Sequence, residues 1–184
     1  MLNNVEKRLS CVAGLVLVVF LTWTITSHAV EKSGESTGAP VRLAVISFQP
    51  LIVEAGQTNT VICPVCGVGS SSGPISKGAE KIVEEIFVEK LNGLKGLEIL
   101  PLDKVQGVYQ RIVSESLKEQ YANILKKVGY ELKADVLAVG YVYRYAERVG
   151  YKYSTEHPAS VAFEIHLIQT SDGSVIWRGN FDKT

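Results

Sequence analysis

The chain has 184 residues, and its 19 basic and 19 acidic side chains give a formal net charge of zero. This balance gives no electrostatic reason to expect binding to nucleic acid or to an anionic membrane surface. Once an N-terminal targeting segment is set aside, the remaining length suits one small domain.

The first 29 residues have the three parts of a secretory signal. Lys7 and Arg8 form a short positive region, and residues 11–25 are an apolar stretch without a charge. Small residues then stand three and one positions before a potential cut between Ala29 and Val30. A helix over 11–25 would span about 22 Å, short of the hydrocarbon core of about 30 Å. We therefore predict a cleaved signal peptide, with an uncut anchor touching the inner membrane as the alternative.

The cysteine in this segment argues against lipid attachment. Cys11 lies at the start of the apolar stretch, whereas a lipoprotein carries its cysteine just after that stretch. Residues 30–40 are polar and rich in small residues, which predicts a flexible linker. The signal places the domain that follows in the periplasm or elsewhere in the cell envelope.

The first half of the domain alternates strands and helices. Val41 to Phe48 is an apolar run typical of a strand that is covered on both faces. A long polar loop follows at 54–74. A helix with apolar residues at helical spacing then ends at Asn92-Gly93, and Leu97 to Leu100 forms a short strand. Two further helices are predicted between Pro101 and a stop at Gly129.

The second half is predicted to be a meander of strands. Residues 135–145 begin as an apolar run, and residues 159–169 alternate between two faces. Ser171-Asp172-Gly173 predicts a hairpin turn to a return strand at 175–181. The expected fold is α/β (α+β), a mixed sheet with helices packed on it in the order β-α-β-α-α-β-β-β. The chain ends directly after the last strand without a closing helix, as a truncated domain would.

This ordered pattern resembles a known envelope superfamily. The segments that carry the resemblance are VRLAVISF, GAEKIVEEIFVEKLNGLKGLEILP, VGYELKADVLAVGYVYRY and VAFEIHLIQTSDGSVIWRGNF. Together they are similar to the CsgG-like and TolB N-terminal domains of the bacterial periplasm and outer membrane. The resemblance implies a single domain over 41–184 that is a non-enzymatic assembly or adaptor module. It implies no pore, because the chain shows no membrane-spanning hairpins.

The loop at 54–74 carries the sharpest chemical motif, Cys63-Pro64-Val65-Cys66-Gly67. Two cysteines at this spacing suit a local disulfide in an oxidising compartment, a zinc knuckle or a redox dithiol. Tetrahedral zinc needs four ligands, which His157 and His166 could complete if the loop folds onto the meander. A second subunit could also supply the missing pair. The redox interpretation is weaker because about nine residues separate Cys66 from the next helix.

Two other groups are weaker candidates. Tyr141, Tyr143 and Tyr145 recur at strand spacing and could form an aromatic binding face, although cross-strand tyrosines are also ordinary sheet stabilisers. Glu164 and His166 share one strand face as an acid and base pair would, but no nucleophile is evident nearby and a solvated strand face is the favoured explanation.

The sequence therefore favours a non-enzymatic, exported cell-envelope protein that binds a protein partner or a second copy of itself. No cofactor is required by this hypothesis. The alternative is a metal-binding or thiol-redox protein in which Cys63 and Cys66 hold zinc or react.

Overall fold

The structure, a computed structural model, describes residues 38–53, 59–151 and 154–184, and the side chains of these residues outside 151–157. The predicted export signal, its cleavage position between Ala29 and Val30, and most of the linker lie outside the described residues. The described residues form one main mixed sheet and three helices.

The main sheet consists of β1 (Val41–Val45), β2 (Gln49–Pro50), β5 (Leu97–Ile99), β6 (Val136–Ala146), β9 (Ser160–Gln169) and β10 (Val175–Lys183). Its strand order is β10-β9-β6-β1-β5, with the short strand β2 pairing with β6. Strands β5, β1 and β6 are parallel, while β6, β9 and β10 form an antiparallel meander. Two small hairpins lie off the sheet: β3 (Thr60–Ile62) with β4 (Gly69–Ser71), and β7 (Val149–Tyr151) with β8 (Ser154–His157).

The helices divide unequally between the two faces of the sheet. Helices α2 (Leu102–Glu115) and α3 (Tyr121–Leu132) pack on one face, which is called the two-helix face. Helix α1 (Ala79–Leu91) packs on the opposite face, called the one-helix face. The mixed α+β fold predicted from the sequence is confirmed.

The sequence pattern explains why β1 lies in the middle of the fold. Ala44 and Ile46 are buried on the two-helix face, and Leu43 and Val45 are buried on the one-helix face. A strand covered on both faces must be apolar at consecutive positions, not at alternate ones. The run VRLAVISF therefore has the composition that its central position requires.

The predicted row of three tyrosines is wrong as a binding face. Tyr141 and Tyr143 are buried on the two-helix face, whereas Tyr145 packs with the residues of the one-helix face. The pairing of β6 with β9 shifts between Val142 and Arg144, and such a bulge reverses the alternation of side chains beyond it. The three hydroxyl groups therefore do not share a surface.

The loop predicted at 54–74 is more ordered than its composition indicates. Its described part, 59–74, contains the hairpin β3–β4, and the CPVCG motif forms the turn of that hairpin. Among the residues that the structure describes, no helix combines the length and the apolar character needed to cross a bilayer.

Candidate metal centre

The turn between β3 and β4 brings the two cysteines of the motif to one side of the hairpin. The amide of Cys63 donates to the carbonyl of Val68 at 3.0 Å, and the amide of Gly67 donates to the carbonyl of Cys63 at 2.9 Å. Gly67 has a φ of 71°, a left-handed conformation that glycine adopts without the steric cost that other residues incur. The turn thus has the tight geometry that the sequence predicts for a cysteine knuckle.

The hairpin packs against the strand of the meander that carries Glu164 and His166. One ligand atom each of Cys63, Cys66, Glu164 and His166 lies within 4.8 Å of all the others. Cys63, Glu164 and His166 are fully buried, and Cys66 is half-buried. Two segments that are about a hundred residues apart along the chain therefore meet at one cluster of four metal-binding side chains.

The distances within the cluster are close to those of a tetrahedral site. The Sγ atom of Cys63 lies 3.2 Å from Nε2 of His166, and that nitrogen lies 2.9 Å from Oε1 of Glu164. Zinc bonds of about 2.0–2.3 Å at tetrahedral angles place neighbouring ligand atoms roughly 3.3–3.8 Å apart. A small outward movement of the side chains would open the cluster to that size. The donor set of two thiols, an imidazole and a carboxylate also fits zinc.

Glu164 is held by two side chains from neighbouring strands. The hydroxyl of Tyr143 donates to Oε2, and Nε of Arg178 donates to Oε1. Burial alone would raise the pKa of Glu164, but the hydrogen bonds from Arg178 and Tyr143 outweigh it and lower that pKa below its usual value. The carboxylate is therefore charged and fixed in orientation, as a metal ligand with outer-shell partners is.

The imidazole of His166 directs its polar contacts toward the thiols. Nε2 makes the contacts with Cys63 and Glu164, whereas the buried Nδ1 has no hydrogen-bond partner among the described residues. Burial lowers the pKa of His166, and the nearby Glu164 only partly opposes this effect. A neutral imidazole is the form that binds a metal.

The thiols do not have the environment of a reactive redox pair. Cys63 and Cys66 are both free in this structure, without a disulfide between them. Burial raises the pKa of the Cys66 thiol, whose Sγ lies 3.5 Å from Oε1 of Glu164. Reactive cysteines are activated instead by a lowered pKa near positive charge or a helix N-terminus. The raised pKa of the Cys66 thiol therefore does not favour a redox nucleophile.

The structure brings together only part of what the sequence indicated. His166 does face Cys63, as the zinc hypothesis requires, while the side chain of His157 lies outside the described residues. The interpretation of Glu164 and His166 as a solvated face is wrong, because both are fully buried beneath the hairpin. Sequence reasoning missed Glu164 as a ligand and Arg178 as its partner. The available signal was the spacing of Glu164 and His166 two residues apart on one strand face.

Comparisons with solved structures found matches at low sequence identity and with TM-scores below 0.5. No family model and no curated protein matches the chain. The LpoB C-terminal domain from Escherichia coli is 12% identical with a TM-score of 0.46, over 82% of this chain and 87% of that one. Lipoprotein GNA1162 from Neisseria meningitidis is 12% identical with a TM-score of 0.45, over 78% and 81%. PelC from Paraburkholderia phytofirmans, a dodecamer, is 14% identical with a TM-score of 0.42, over 78% and 71%.

Because no family model and no curated protein matches, the superfamily named from the sequence pattern stays an interpretation. At these identities and TM-scores no activity, ligand or partner is transferred from them to this chain.

Proposed function

We propose that this chain is a non-enzymatic domain of an exported envelope protein that holds one structural zinc ion. The ligands are Cys63, Cys66, His166 and Glu164. The observation that carries the proposal is the convergence of these four side chains from two distant segments, with their ligand atoms within 4.8 Å of one another. Export is proposed from the N-terminal signal and not from the site.

A structural role follows from the number of protein ligands. Catalytic zinc sites keep one position open for water or substrate, whereas structural sites are closed by four protein ligands. Here four ligands are available, and three of them are fully buried. Such a centre leaves no position at which zinc could activate water.

Charge balance also supports a divalent ion at this position. Two thiolates and one carboxylate would bring three negative charges, of which zinc compensates two. Arg178 donates to Glu164 from the adjacent strand and compensates the third. The complete group of ion, ligands and Arg178 is neutral, which reduces the cost of burying it.

The proposed ion would fix the hairpin β3–β4 to the sheet. The hairpin is short and leaves Ile62 exposed, and its buried anchor is Cys63. A zinc ion shared by Cys63, Cys66 and strand β9 joins the hairpin to the meander, in the way that a disulfide joins segments of small exported domains.

The test is the zinc content of the full chain purified under reducing conditions. We expect one zinc per chain in the wild type and in Cys11→Ser, which removes the cysteine of the export segment. Cys63→Ser and His166→Phe should each lower the content by at least tenfold, because three ligands bind zinc much more weakly than four. Glu164→Gln should lower the affinity less, since carboxylates are the weaker zinc ligands in such sites. A wild-type protein without zinc, or variants that retain it, would refute the proposal.

Protein binding is a second candidate function, and the uncovered part of the one-helix face favours it. Among the helices that the structure describes, α2 and α3 cover the two-helix face and α1 covers the one-helix face. Trp177 and Phe181 of β10 are exposed, and Phe181 stacks on Phe163 with ring centroids 5.2 Å apart. A contiguous exposed apolar surface of this kind is typical of interaction sites.

A further inference from the structure

The one-helix face has an apolar trough beside α1. It is defined by Ile86 and Phe87 of α1 together with Phe163, Leu167 and Trp177 of the sheet. Two grooves make up the trough, of about 760 Å³ and 390 Å³, and Phe87 lines both. Ile86 and Trp177 are about half exposed. The two grooves therefore adjoin at Phe87, and the trough that they form beside β9 is open to solvent.

The dimensions of the trough fit one helix. Between Val161 and Leu167, strand β9 runs for about 20 Å at roughly 3.4 Å per residue. A helix of about 14 residues has this length. Strands β9 and β10 together are about 10 Å wide at roughly 4.8 Å per strand, which is about the diameter of one helix.

The charges that line the larger groove select the chemistry of that helix. Lys90, Lys183 and Arg148 line this groove, and Glu147 is the acidic side chain there among the described residues. The smaller groove, which includes Trp177, is lined by apolar side chains in the part of the chain that the structure describes. A helix with one apolar face and acidic residues beside that face complements both features.

We propose that the trough binds an acidic amphipathic helix of a partner protein. The helix places its apolar face against Phe87, Phe163 and Trp177 and its acidic residues near Lys90 and Lys183. This inference deepens the second candidate function and does not depend on zinc, because the trough and the metal centre lie on opposite faces of the sheet.

The probe is a synthetic helical peptide of about 14 residues with leucine on one face and glutamate on the other. Its control is the same peptide with lysine in place of glutamate. The chain has two tryptophans, so Trp23→Phe in the full chain leaves Trp177 as the reporter. We expect the glutamate peptide to shift the emission of Trp177 to shorter wavelength and to bind at least tenfold more tightly than the lysine peptide.

Two pairs of variants make the test specific. Ile86→Glu should weaken binding of the glutamate peptide at least tenfold. Ile52 is also exposed but lines neither groove, so Ile52→Glu should leave the binding unchanged. Lys90→Glu with Lys183→Glu should reverse the preference toward the lysine peptide. Zinc content measured on the same preparations should stay at the wild-type value, which separates failure here from failure of the metal centre.

Three outcomes would overturn the proposal. If the two peptides bound equally well, or if neither bound, the trough would not be a site for an acidic helix. A wild-type dimer that Ile86→Glu converts to monomer would show that a second copy fills the trough. A shift of Trp177 emission to longer wavelength in Ile86→Glu without peptide would show that the chain's own N-terminal segment covers it.

Discussion

Removing zinc from the wild-type chain with a chelator is expected to lower the free energy of unfolding by about 4 kcal/mol. This value corresponds to a free zinc concentration about a thousandfold above the dissociation constant. For a domain of this size, it lowers the thermal midpoint by about 8–16 °C. The loss is large because the ion joins Cys63 and Cys66 to strand β9, and its removal releases the hairpin that covers the buried carboxylate of Glu164.

The matching substitution is Cys63→Ser, which should lower the midpoint of the zinc-loaded chain by a similar amount. The chelator should then have little further effect, since the variant has already lost the ion. Cys11→Ser should behave as the wild type in both measurements. A chelator that lowers the midpoint of Cys63→Ser as much as that of the wild type would mean that the stabilising ion lies elsewhere.

Gly140→Ala is expected to destabilise the domain by about 2–3 kcal/mol through crowding in the core of the one-helix face. A Cβ atom at Gly140 would lie 2.5–2.6 Å from three ring atoms of Phe48. That ring is itself buried and packs against Phe87, with the ring centroids 5.6 Å apart. The ring must therefore shift against close-packed neighbours, and thermal or denaturant unfolding measures the cost.

Two variants control this prediction. Gly107→Ala lies in the exposed middle of α2 with no atom within 4 Å of the added Cβ, and it should stabilise the domain by about 0.5–1 kcal/mol. Phe48→Ala combined with Gly140→Ala should cost less than the sum of the two single losses, because the clash is then absent. A Gly140→Ala variant as stable as the wild type would show that Phe48 does not lie over this glycine.

The order of elements could be predicted from the sequence because it depends on local patterns. The alternation over 159–169 and the turn at Ser171-Asp172-Gly173 correspond to β9 and to the start of β10. In that turn the amide of Ser174 donates to the carboxylate of Asp172 at 2.9 Å, the local contact that such turns make. The end of α1 at Asn92, followed by Gly93 in a left-handed conformation, was predicted for the same local reason.

The tyrosine row and the full metal centre could not be predicted in the same way. The bulge between Val142 and Arg144 depends on pairing with β9, and the sequence of β6 alone does not indicate it. Glu164 was predicted to face solvent because strand alternation shows which residues share a face but does not show what covers that face. The cover is the hairpin β3–β4, about a hundred residues earlier in the chain.

X-ray absorption at the zinc edge of the full chain, purified under reducing conditions, tests the central claim most directly. The metal centre predicts one zinc per chain with two sulfur neighbours at about 2.3 Å and two nitrogen or oxygen neighbours at about 2.0–2.2 Å. Glu164→Gln should change the light-atom shell and leave both sulfurs in place. Four sulfur neighbours would indicate an ion shared between the cysteine pairs of two chains. Four sulfurs, or no bound zinc, would contradict the centre formed by Cys63, Cys66, His166 and Glu164.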